Sequence, residues 1–247
     1  MGLTSNRAAS GWTGAAYILA AVFAAAMLPL PGFALDALAH GMAGKDAEFV
    51  ANSVGPQVLP FLYLGAKHMA TGYDHLLFVI GTVFFLYQLR HVAIYVTTFS
   101  IGHSTTLLLG VLGGIHVNAF LVDAIIGLSV AYIAFDNLGG FKTLLGFQPN
   151  TKLAILVFGL IHGFGLATKV QELNPSPDGL VANMISFNVG VEIGQLLVLT
   201  AALALIVWWR KTASFTRQAV LANAAIMTAG FALMEYQLAG YFANGGA

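Results

Sequence analysis

"ISFNVGVEIGQLLVLTAALALIVWW", residues 185–209, decides the fold. Its only charged side chain is Glu192. An α-helix needs about 20 apolar residues to cross the hydrocarbon of a bilayer, and this stretch is longer than that. A helix that is apolar nearly all round is buried in a large core or in lipid. The polar exceptions, Asn188, Glu192 and Gln195, fall at i, i+4 and i+7 and so share one face. In hydrocarbon such a stripe must turn toward other helices or toward water.

The rest of the chain agrees. Of its 247 residues 58% are hydrophobic and 8% charged, against about 25% charged in ordinary soluble domains. Mean hydropathy is +0.83. Apolar segments at 60–89, 92–113, 117–137, 152–170, 181–209 and 218–241 predict six helices. The breakers "GGIH" (113–116), "NLGGFKTLLGFQPN" (137–150) and "NPSPDG" (174–179) separate them. The first segment is too long for one span and carries Gly65 and Gly72, where a break is expected. A membrane β-barrel would show alternating segments of about 10 residues, which are absent. The expected fold is all-α, a polytopic transmembrane helix bundle.

Residues 1–39 read as a secretory signal peptide, cleaved after Ala34 or Ala39, or as an uncleaved first membrane helix. Residues 40–57 form an outer polar segment and 58–247 the six-helix transmembrane domain. Cleavage after Ala39 would leave His40 with a free amine able to chelate a metal. Arg7, Arg90, Lys142, Lys152, Arg210, Lys211 and Arg217 fall on one side of this topology, and Lys45, Lys67 and Lys169 on the other. The positive-inside rule then predicts an outside C-terminus in a bacterial inner membrane.

Net charge is zero, and no basic run points to nucleic acid. The absence of cysteine excludes thiolate metal sites, iron–sulfur clusters and cysteine nucleophiles. Ionisable groups inside the membrane segments are the functional candidates, because each is costly there unless paired or hydrated. They include His68, Asp74, His75, His103, His162 and Glu192. His68 and His75, seven apart, share a face of a continuous helix. Ser100, His103 and Ser104 form a second polar face. Their depths suggest a cavity opening outward with imidazoles and carboxylates at its floor. Imidazole with carboxylate and no thiolate suits nickel, zinc, copper(II), iron or cobalt. The plainer alternative has each histidine hydrogen-bonding a serine or a carbonyl and holding helices together. His91 and His116 fall at segment boundaries and read as interfacial. "FSIGHSTTLLL" (99–109) also echoes "FNVGVEIGQLL" (187–197), three helices later and therefore running the opposite way.

"HMATGYDHLLF" (68–78) resembles the HxxxGxDH signature of the HupE/UreJ family of small membrane proteins associated with nickel. "TTFSIGHSTTLLLGVLG", "FGLIHGFGLA" and "FNVGVEIGQLL" are similar to further blocks of its second subgroup. Met69 stands where proline commonly follows the first histidine. The resemblance implies a polytopic protein that moves or binds nickel or a similar divalent cation, with His68, Asp74 and His75 as signature residues.

The expected function is therefore a membrane permease or binding protein for a divalent transition metal, nickel before zinc, copper or iron, rather than an enzyme. His68, Asp74, His75, His103, His162 and Glu192 would supply the metal site. The alternative is an integral-membrane metalloenzyme or a metal-binding accessory subunit of a larger complex. Expected partners are the metal ion, the lipid bilayer and either a homo-oligomer or such a complex.

Overall fold

The structure is a computed structural model that describes residues 44–245; the leader 1–39 and His40 lie outside the described residues. Among the described residues every regular element is helical. They are α1 (Lys45–Asn52), α2 (Val58–Thr71), α3 (Tyr73–Val83), α4 (Leu89–Gly113), α5 (Ala119–Asn137), α6 (Thr151–Glu172), α7 (Leu180–Trp209) and α8 (Phe215–Ala243). A π-helical turn, Phe141–Leu145, lies between α5 and α6.

Helices α4 to α8 are the five long and apolar enough to cross a membrane. Large apolar side chains cover their outer faces, Leu109, Ile125, Val157, Ile185 and Leu197 among them. That pattern places lipid outside the bundle. The segment 60–89, read from sequence as one interrupted helix, is two short helices instead. Gly65 stays inside α2, and the break falls at Gly72 alone, whose φ of −74° and ψ of 98° leave the helical region. The Gly72 amide closes α2 on the His68 carbonyl (2.8 Å), and its own carbonyl accepts from Leu76 N to start α3 (2.9 Å). Helix α3 then stops at Val83, before the expected 89.

Side-chain caps set two of the longer starts. Asn118 Oδ1 accepts from Leu121 N (3.1 Å), and Asn150 Oδ1 accepts from Lys152 N (3.1 Å) and Leu153 N (3.2 Å). Both satisfy amides that the first turn of a helix leaves without partners. Upstream, the polar segment 40–57 contains the helix α1. Lys67 on α2 holds it through Asp46 at 2.7 Å.

The helices pack chiefly in pairs: α2 on α7, α4 on α6, and α5 on α8. The short α3 sits among them, touching α5, α7, α8 and α4. Polar contacts tie the two ends of the bundle. At one, Gln57 N donates to Asn183 Oδ1 (2.6 Å), and Gln171 Nε2 donates to the Gly110 carbonyl (2.6 Å). At the other, the Arg210 guanidinium donates to the carbonyls of Leu86 (2.8 Å), Val83 (3.2 Å) and Phe84. Asn137 Nδ2 reaches the Gly81 carbonyl (2.7 Å) near that end, hereafter the Arg210 end.

Candidate metal site

Four imidazoles meet around α3. His75 stands near its start, and the break at Gly72 brings the ring of His68, near the end of α2, within 5.0 Å centre to centre. His162 of α6 lies 4.9 Å from His75, and His103 of α4 lies 5.7 Å away. All four are buried, His162 completely. Because α2 ends before α3 begins, the seven-residue face expected of a continuous helix does not unite His68 and His75. The kink brings them together.

Aromatic rings enclose the cluster. Phe99 stacks on His103 (5.9 Å) and meets His162 edge-on (5.2 Å), Phe78 lies 5.1 Å from His162, and Phe187 lies 6.0 Å from His68. Such a shell excludes water and makes any unpaired polar group inside it costly.

Two tautomers follow from the partners. Asp74 Oδ1 lies 2.9 Å from His75 Nδ1 and also accepts from His75 N (2.8 Å). A carboxylate only accepts, so Nδ1 carries the proton and, in the neutral ring that binds metal, Nε2 carries the lone pair. Ser129 Oγ donates to the Ile126 carbonyl (2.6 Å), which commits its single proton. It therefore accepts from His162 Nε2 at 2.9 Å, and the lone pair of His162 is on Nδ1. Both lone-pair nitrogens, His75 Nε2 and His162 Nδ1, are buried without a partner. So are both ring nitrogens of His68 and both of His103.

The spacing suits shared coordination. With metal–nitrogen bonds of about 2.0–2.1 Å, two imidazoles on one ion have ring centres roughly 4.5–5.2 Å apart. The pairs of His75 with His68 and with His162 fall in that range. Orientation is not yet convergent, since these pairs meet edge to face at 72° and 88°. Among the described residues no three His, Asp or Glu side chains are already gathered closely enough to hold a metal ion. Closing on an ion therefore requires rotation of the rings.

One expectation fails here. Glu192 lies on the exposed face of α7, outside the buried cluster. Its stripe splits: Gln195, one turn on, is buried and accepts from Ser100 Oγ of α4 at 2.9 Å. Helix α7 presents only one of the two faces inward, and the better packed contact takes the neutral amide. Among the described residues the space next to the cluster is narrow. The crevice beside it, lined by Asp74, Asp123, Lys169 and Gln237, has a free volume of about 10 Å³, room for about one water. Lys169 Nζ bridges to Asp123 Oδ2 across it at 3.0 Å. His91 and His116 are exposed near helix ends, away from the site.

Ser129, Phe99 and Phe78 were not singled out from the sequence. Ser129 had a legible signal as the single hydroxyl between Gly127 and Tyr132 in an apolar run. The phenylalanines had none, because a phenylalanine beside a site looks the same in sequence as one in a core.

Residues 44–245 match the family model described as HupE / UreJ protein. The match covers most of the chain, and the protein belongs to the HupE/UreJ family, a membrane family related to nickel and cobalt transport. No curated protein and no solved structure matches it.

Proposed function

We propose that this chain is a permease for a divalent transition-metal cation, nickel-like in its ligand preference. The ion binds the imidazoles of His68, His75, His103 and His162, and Asp74 orients His75 and offsets positive charge. One observation carries the reading: the lone-pair nitrogens of His75 and His162 are buried with no partner, beside two histidines that have none at all. A buried polar group left unsatisfied costs about 1–3 kcal/mol. Side chains that tie helices, such as Gln195 and Arg210, leave single atoms unpartnered, whereas here nitrogens of four neighbouring imidazoles are left together, as a cation site would need. Carboxylate–histidine pairing such as Asp74–His75 is a common support for a metal-ligating imidazole.

The break at Gly72 supports the same reading. It ends α2 beside His68, where the carbonyl end of the helix favours a cation, and it starts α3 at Asp74, whose charge offsets the amide end. Broken helices at midplane binding sites are a recurring device of secondary transporters. By the positive-inside rule, the Arg210 end, which carries Arg90, Lys142, Lys152, Lys211 and Arg217 as well, faces the cytoplasm.

The closed site favours a second reading, a subunit that holds the metal for a larger membrane complex. Nickel flux into proteoliposomes, with metal analysis of the purified protein, separates the two. Flux together with bound nickel supports the permease. Bound nickel without flux favours the holding subunit, and protein that binds no divalent metal overturns both.

A further inference from the structure

The site is built twice. "LYLGAKH" (62–68) in α2 and "LVFGLIH" (156–162) in α6 share Leu-x-x-Gly-x-x-His. Their packing partners, "FNVG" (187–190) in α7 and "FSIG" (99–102) in α4, share Phe-x-x-Gly. The contacts correspond atom for atom. A Cβ on Gly65 would strike the Phe187 carbonyl, and a Cβ on Gly159 would strike the Phe99 carbonyl. In the reverse sense, Gly190 backs onto the Leu62 carbonyl and Gly102 onto the Leu156 carbonyl. Glycine is required at each of these crossings because backbone meets backbone.

Both pairs run parallel. Contacts climb from Leu62–Gly190 to Ala66–Gly194 in one, and from Leu156–Gly102 to Ala167–Gly110 in the other. The pairs nevertheless point in opposite directions. Helix α2 starts beside Asn183, whereas α6 starts at the Arg210 end, where Thr151 Oγ1 donates to Asp136 Oδ2 (3.2 Å). This is the geometry of an inverted repeat, with α2 and α6 exchanged between the two units. The echo at 99–109 and 187–197 is one half of it, and the histidine equivalent to His162 is His68. The repeat departs from symmetry at His103, whose counterpart is Val191, and at Ser129, which only His162 contacts.

We propose that His68 and His162 are equivalent ligands serving opposite faces of the membrane, and that His75 between them is shared by both. The inference rests on the metal-permease reading. His75 is nearly equidistant from the two, at 5.0 and 4.9 Å, and each keeps a buried nitrogen without a partner. An ion entering from the end where Gln57 meets Asn183 binds His68 and His75, then passes to His75 and His162 as the two units rock. Access to His68 comes from the end where α2 starts, and access to His162 from the end where α6 starts.

The natural absence of cysteine makes the test direct. His68→Cys and His162→Cys, each as the single cysteine in full-length protein, are exposed to a membrane-impermeant thiol reagent in right-side-out and in inside-out vesicles. Leu59→Cys and Leu153→Cys, exposed positions in corresponding places of α2 and α6, report correct insertion and sidedness. The expected result is labelling of His68→Cys from the face that labels Leu59→Cys, and of His162→Cys from the face that labels Leu153→Cys, with loss of labelling from the opposite face. Labelling of both histidine positions from one face, or of neither while the controls react, overturns the proposal. Nickel binding by unmodified protein is measured in parallel. Its absence, with opposite-face labelling intact, overturns the metal reading and leaves the two-sided access standing.

Discussion

Two buried polar regions of this bundle differ in what they leave unpaired. Near the Arg210 end, Asn137 Nδ2 donates to the Gly81 carbonyl and to Asn223 Oδ1 (2.8 Å), and Asn223 Nδ2 donates to the Ala219 carbonyl (2.9 Å). That network links α3, α5 and α8 and closes on itself. The imidazole cluster, more deeply buried than the half-buried Asn137, leaves nitrogens on all four rings without partners. Both regions cross-link helices, yet only one reserves lone pairs. Single unpartnered atoms also occur on Gln171, Gln195 and Arg210, side chains whose other atoms tie helices together, but only in the imidazole cluster do such atoms gather from several helices.

The comparison breaks most easily at His75. His75→Ala should abolish nickel binding in a titration of purified protein, while circular dichroism and membrane yield stay those of the parent. Loss of a supporting partner alone costs about 10–100-fold in metal affinity, and loss of the shared ligand should exceed that. Wild-type affinity in a folded variant would make the cluster glue after all.

Asp74→Asn tests the support directly. The amide no longer requires a proton on His75 Nδ1, so the lone pair is no longer assigned to Nε2. Affinity should fall about 10–100-fold, with some binding retained. An unchanged isotherm would mean that Asp74 merely caps α3.

On the other side of the comparison, Asn223→Ala should leave nickel affinity unchanged and lower stability. Hydrogen bonds between membrane helices contribute about 0.6 kcal/mol on average and up to about 1.7, so the loss belongs in that range. Reversible unfolding in detergent or bicelles measures it, and a fall in metal affinity instead would join the two regions into one site.

Glu192→Gln should have the smallest effect on binding, because the carboxylate lies on the exposed face of α7. An isotherm displaced from the parent's would return Glu192 to the site and contradict the placement of that face.

Much of the bundle was legible because lipid imposes simple rules on sequence. Runs such as 185–209 need no knowledge of neighbours to be read as spans, and glycine-rich connections mark their ends. The histidines were legible for the same reason, since each is an expensive exception within an apolar segment. Rotation about the helix axis was not. Glu192 and Gln195 lie on one stripe, yet packing against α4 turned Gln195 to Ser100 and left Glu192 outside. The break itself was legible, but the choice of Gly72 was not, because Gly65 offered the same local signal and was absorbed at the α2–α7 crossing.

By itself, then, the sequence determined that this chain lives in a membrane as helices, without thiolate chemistry, and that its imidazoles are the groups to watch. Local composition suffices for that, since hydrocarbon accepts no unpaired backbone and few charges. Only the tertiary structure decided which histidines meet, which nitrogens hold the lone pairs, and that His68 and His162 occupy matching places. Those facts depend on how Gly65, Gly102, Gly159 and Gly190 let four backbones touch, and contact between helices distant in sequence is written in no single segment.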